Sequence, residues 1–99
     1  MHPAKVVRSK VRKLTDLPNV GTATAGDLRL LGIDEPRDLI GKCPYQLYET
    51  LCRLTAVRQD PCVIDVFMSV TRFMDGEPPQ NWWAFTDERK KHLSGKNRP

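Results

Sequence analysis

Leu17-Pro18-Asn19-Val20-Gly21-Thr22-Ala23-Thr24-Ala25, running on through Gly26-Asp27-Leu28 to Leu31-Gly32-Ile33, is the stretch that decides the fold. Pro18 closes whatever helix precedes it, because its ring disfavours helical geometry in the residue before it. Asn19 and Gly21 are residue types that readily take positive φ, so the turn can be very tight. Val20 between them is apolar and is expected under the turn. After Gly21 the apolar positions Ala23, Ala25, Leu28 and Leu31 recur at helical spacing, with small residues where a neighbouring helix would come close. The local reading is helix, tight apolar hairpin, helix. Backbone amides at the start of such a helix form a place where phosphate can sit.

Working outward, Val6, Val7, Val11 and Leu14 predict a basic amphipathic helix over about 5–14. The helix from about Thr22 to Leu31 is capped by Gly32. Asp34-Glu35-Pro36 opens a short third helix with Leu39 and Ile40 facing inward. Cys43-Pro44 opens a fourth, in which Leu47, Tyr48, Leu51 and Leu54 form a stripe. Asp60-Pro61 is the clearest start signal in the chain, a cap residue followed by proline. The helix it opens carries Val63, Val66, Phe67, Val70, Phe73 and Met74 and is expected to be the central one. Asp75 to Pro79 is a break, after which Trp82-Trp83-Ala84-Phe85 folds back over the core. Asp87 to His92 makes a last charged turn, and 94–99 reads as disordered. The expectation is an all-α fold of five or six short helices. It divides into a basic segment over 1–14, a helical domain over 15–88 and a basic tail over 89–99.

At 99 residues the chain allows one modest core. Three cysteines, an odd number, argue against a closed disulfide framework and fit a reducing cytoplasm. No long apolar run suggests a membrane span and no export leader is evident, so no membrane partner is expected. The net charge of +4 conceals an asymmetry. Lys5, Arg8, Lys10, Arg12 and Lys13 crowd one end, and Arg89, Lys90, Lys91, Lys96 and Arg98 the other. That leaves six of the 16 bases in the middle against all 12 acids. Basic ends suit nucleic acid or an acidic partner.

The hairpin and the Leu31-Gly32-Ile33…Asp38-Leu39 corner resemble the helix-hairpin-helix motif over Leu17 to about Leu39. Over Leu17 to Trp83 the chain resembles the small bacterial pathogenicity locus family, also described as mitomycin-resistance-like. Leu51-Cys52-Arg53-Leu54-Thr55-Ala56-Val57-Arg58-Gln59-Asp60-Pro61-Cys62-Val63 and Trp82-Trp83 carry that second likeness. The first resemblance implies a SAM-like helical domain that holds DNA phosphates without reading sequence. By position, the amides would be those of Asn19, Gly21, Ala23 and Thr24, assisted by Lys10, Arg12, Lys13 and the nearby Arg29. It also implies a monovalent cation, K⁺ or Na⁺, on the carbonyls of Thr15, Leu17 and Val20. The chain departs from the motif at Asn19, where glycine is usual, and at Thr22, where proline is common.

No catalytic constellation is apparent. Cys43, Cys52 and Cys62 lack metal-ligand spacing, and both histidines, His2 and His92, lie in the basic ends. The expectation is a non-catalytic DNA-backbone binder. The alternative is a protein-interaction module using the helical surface around Trp82–Phe85.

Overall fold

A computed structural model describes residues 1–96, without the side chain of Lys96. It contains four α-helices: α1 (Thr22–Leu30), α2 (Pro44–Thr55), α3 (Cys62–Met74) and α4 (Thr86–Lys96). Short 3₁₀ turns link them at Pro3–Lys5, Arg8–Lys10, Leu14–Asp16, Pro36–Leu39 and Trp82–Phe85. There is no strand among the described residues, so the all-α reading stands. Residues 97–99 of the expected C-terminal tail lie outside the described part.

Helix α3 is the centre, as its sequence predicts. Its first amides are met by Asp60, whose Oδ1 accepts from the Cys62 N–H at 2.9 Å. Ile64, Phe67, Met68, Val70 and Phe73 are buried almost completely. Two hydroxyls in the same helix are satisfied locally, Thr71 on the Phe67 carbonyl and Ser69 on the Val66 carbonyl. Against α3 pack Leu47, Tyr48 and Leu51 of α2, and Phe85 of the last 3₁₀ turn. At the end of α1, Gly32 takes φ 81° and lets the Ile33 N–H return to the Leu28 carbonyl at 2.9 Å. Leu28 and Ile33 then bury together, which fixes the corner.

Three expectations fail in instructive ways. The amphipathic helix over 5–14 is replaced by two 3₁₀ turns, with extended Val6 and Val7 between them and extended Val11 after the second. β-Branched valines lose little in extended backbone, and long-range bonds hold the segment where it is. Arg8 donates to the carbonyls of Phe73 and Glu77, both at 2.6 Å, and its guanidinium lies 3.9 Å from the Phe73 ring centre. It thereby caps the C-terminal end of α3. The third helix is a single 3₁₀ turn, so Leu39 is buried while Ile40 is 56% exposed. In α2 the expected stripe stops at Leu51, and Leu54 faces solvent.

The proposed boundary at 88/89 falls inside α4. That helix is mostly polar, and its docking is polar too. The Asp65 carboxylate, wholly buried in α3, accepts from Arg89 Nε at 3.0 Å, Arg89 Nη2 at 3.2 Å and Thr86 Oγ1 at 2.8 Å. Arg72 pairs with Glu88, and Tyr45 stacks on His92 with ring centres 3.7 Å apart. A buried charge with two-pronged pairing is costly to strand. Arg89→Ala is therefore expected to lower unfolding free energy by about 3–5 kcal/mol in urea titration. Arg89→Lys recovers only part of that, because an ammonium lacks the planar fork.

Candidate nucleic-acid interface

The turn at 17–21 is built from both directions. Leu14, Leu17 and Val20 are buried, which draws the loop onto the core. The Asp16 carboxylate accepts from the backbone N–H of Arg12 at 2.9 Å and Lys13 at 3.1 Å, closing the 3₁₀ turn before it. Those two bonds, helped by the Lys13 charge, hold its carboxyl below the usual 3.8. Asn19 sits at φ 66° and its amide donates to Ser69 Oγ at 2.9 Å and the Gln80 carbonyl at 2.8 Å.

The Asn19 backbone N–H is already bonded to the Met1 carbonyl at 2.7 Å. Asn19 therefore offers neither backbone nor side chain to a phosphate, which corrects its expected role. The amino nitrogen of Met1 donates to the carbonyls of Leu17 at 3.0 Å and Val20 at 2.6 Å. These are two of the three carbonyls that the motif likeness assigned to a cation, and Thr15 takes no part in this contact. Burial lowers the pKa of that amine, partly offset by Asp16.

The other assigned amides differ. Gly21 caps α1 in extended conformation without a side-chain bond, and the first internal bond of the helix is Ala25 N–H to the Gly21 carbonyl. The N–H groups of Ala23 and Thr24 precede that bond and have no acceptor among the described residues. Gly21 and Ala23 are exposed, as are Lys10, Arg12, Lys13 and Arg29. None of these four bases forms an ion pair among the described residues.

The same construction occurs again 22 residues later. Asp38 accepts from the N–H groups of Asp34 at 3.1 Å and Glu35 at 3.0 Å, as Asp16 does from Arg12 and Lys13. These bonds hold its carboxyl low as well, the Glu35 amide contributing most. Leu39 is buried like Leu17, and Gly41 takes φ 80° where Asn19 takes 66°. The Lys42 N–H returns to the Leu39 carbonyl, as Val20 does to Leu17. Cys43 begins α2 without a side-chain cap, and Leu47 N–H closes onto it at 3.0 Å. Asp-Leu is the one identity shared by the two turns from 14–21 and 36–43. The sequence alone therefore did not disclose the second turn. Its apex is open, with Ile40, Gly41, Lys42 and Cys43 all exposed.

The profile of the pathogenicity locus family matches residues 7–91. The chain belongs to that family. The match takes in both turns, all of α1 to α3 and the Trp82-Trp83 pair, and leaves out the 3₁₀ turn at Pro3–Lys5 and the last part of α4. The chain is also 39% identical over 82 residues to the mitomycin resistance protein McrB of Streptomyces lavendulae, covering 83% of this chain and 78% of that one. No solved structure matches. The cysteines are free thiols, and no group of three His, Cys, Asp or Glu side chains could hold a metal among the described residues. No described helix is long and apolar enough to cross a membrane.

Two outcomes follow. Asn19→Gly keeps the backbone freedom but removes two hydrogen bonds, so it should cost about 2 kcal/mol in urea denaturation. Asn19→Asp, which cannot donate to Gln80, should cost more. Asp16 and Asp38 titrate lower in the folded chain than when unfolded. The stability they add is full above about 3.8 and lost as pH falls through their folded values. The Asp16→Asn/Asp38→Asn double variant should show a flatter fall of Tm between pH 5 and 2, measured by circular dichroism.

Proposed function

We propose that this protein binds the DNA sugar-phosphate backbone without sequence preference, as a helix-hairpin-helix protein does, and that it is not an enzyme. The observation that carries this reading is Gly21. It sits at φ −102°, a conformation open to any residue, and a Cβ built there would meet nothing within 4 Å. The fold has no need of a glycine at this position. Close approach of an external group to backbone amides does need one. The free N–H groups of Ala23 and Thr24 lie in the same helical turn, and a phosphate there gains both hydrogen bonds and the helix dipole.

The repeated turn supports the same reading. Lys13 precedes the first turn and Lys42 lies in the second, both exposed. Two such sites on one small domain let it hold two phosphates at once. The carboxylates within the two turns, Asp16 and Asp38, are already turned onto backbone amides, which softens their repulsion. The alternative, a protein-docking role, draws on exposed Leu54 and Val57 at the end of α2, flanked by Arg53 and Arg58. That surface is part apolar and part basic, whereas the first turn is backbone-rich with Arg12 and Lys13 beside it, and the second is backbone-rich with Lys42 exposed at its apex.

A salt titration against a short duplex decides between them. Backbone binding predicts that log K falls linearly with log salt, by about 0.9 per neutralised phosphate. Lys13→Glu and Lys42→Glu should each reduce that slope by about 1, equally across unrelated sequences. Gly21→Val should leave Tm within a few degrees yet remove most of the affinity. If Gly21→Val binds as tightly as the parent, the amides are not the contact. Absence of any binding at low salt sinks the reading and favours protein docking.

A further inference from the structure

The chain places two tryptophans side by side and covers only one of them. Phe85 is buried and Trp82 half-buried, which anchors the 3₁₀ turn at Trp82–Phe85 on α3, but Trp83 is 59% exposed. Its ring stands edge-on to Trp82, with centroids 5.5 Å apart and planes at 83°. That T-shaped contact steadies the outer ring without covering it.

The position of this ring matters. Three residues upstream, the Gln80 carbonyl accepts from the Asn19 side chain at the apex of the first turn. Three residues of chain span at most about 11 Å. Trp83 is therefore tethered close to the turn whose amides face solvent. The basic N-terminal segment runs through the same place: His2, Pro3, Ala4 and Val6 share a shallow depression with Pro79, Gln80 and Asn81. Lys5 in that segment is exposed. The turn, the basic N-terminal segment and the loop that leads into the open aromatic ring are thus joined through one side-chain bond.

We propose that Trp83 stacks on an unpaired base of the strand whose phosphate lies at Gly21. The preferred partner is then single-stranded or gapped DNA over intact duplex. This rests on the backbone-binding reading above and goes beyond it, because it names the form of DNA. Bases inside an intact duplex are stacked on one another and offer an external ring groove edges, sugar and phosphate but no free π-face. An unpaired base offers a π-face whatever its identity, so stacking keeps the binding sequence-tolerant.

The test compares a twelve-nucleotide oligo-dT with a duplex of equal length at one salt concentration. The parent should prefer the single strand. Trp83→Ala should lower the single-strand to duplex affinity ratio about fivefold or more, and Trp83→Phe, which keeps a ring, should hold most of it. In a Trp82→Phe background, the remaining emission from Trp83 should be quenched as oligo-dT saturates the protein. Unquenched emission, or a ratio unchanged by Trp83→Ala while both DNAs still bind, overturns the stacking role and leaves backbone binding intact. Failure of the parent to bind either DNA overturns both.

Discussion

The structure depends on how Asn19 is held. Its backbone lies in the left-handed region, its N–H meets Met1, and its side-chain amide reaches Ser69 of α3 and the Gln80 carbonyl. One residue therefore joins the N-terminal segment, the first turn, the central helix and the loop before Trp82. Glycine would satisfy the backbone more cheaply but could make none of the side-chain bonds. The buried Ser69 hydroxyl gains from the arrangement too, since it accepts from Asn19 while donating to the Val66 carbonyl. Among the described residues no buried side-chain polar atom lacks a partner.

Local signals made part of this fold legible. Asp60-Pro61, Gly32 before Ile33, and the Pro18-Asn19 turn each act within a few residues, so their sequence patterns and their structures coincide. Interactions between distant residues left no such trace. Arg8 and Phe73 are separated by 65 positions, and Arg89 and Asp65 by 24. Both arginines therefore read as members of loose basic ends. The valines of 5–14 fit a helical face equally well as an extended segment, and tertiary bonds chose the latter. At the site, it was the motif likeness that named the amides of Gly21, Ala23 and Thr24, and no local signal announced the inward aim of Asn19. The repeated turn was hidden because backbone geometry, rather than side-chain identity, is what the two copies share.

The charge distribution also changes meaning once the partners are known. Arg8 and Arg89 are consumed by the fold, one capping α3 and the other neutralising Asp65. The bases left to meet a partner include the exposed lysines, Arg12 and Arg29 near the first turn, Lys42 in the second, and Lys90 and Lys91 on α4. On the acidic side, Asp65 is spent on Arg89, and Asp16 and Asp38 are spent on backbone amides. Formal charge counts along the sequence thus overstate both the basic tails and the acidic body.

The two turns share a backbone but not a setting, and this bears on how they can work together. In the first, Pro18 is buried and the apex is pinned by Asn19 and Met1, so little is lost in ordering it around a ligand. In the second, Ile40 stands exposed where Pro18 is covered, and nothing comparable holds Gly41 among the described residues. A partner that meets both turns gains most of its orientation from the first. From the second it gains burial of Ile40 together with the charge of Lys42. The rigid copy is suited to fixing register, and the open copy to adding affinity once register is fixed.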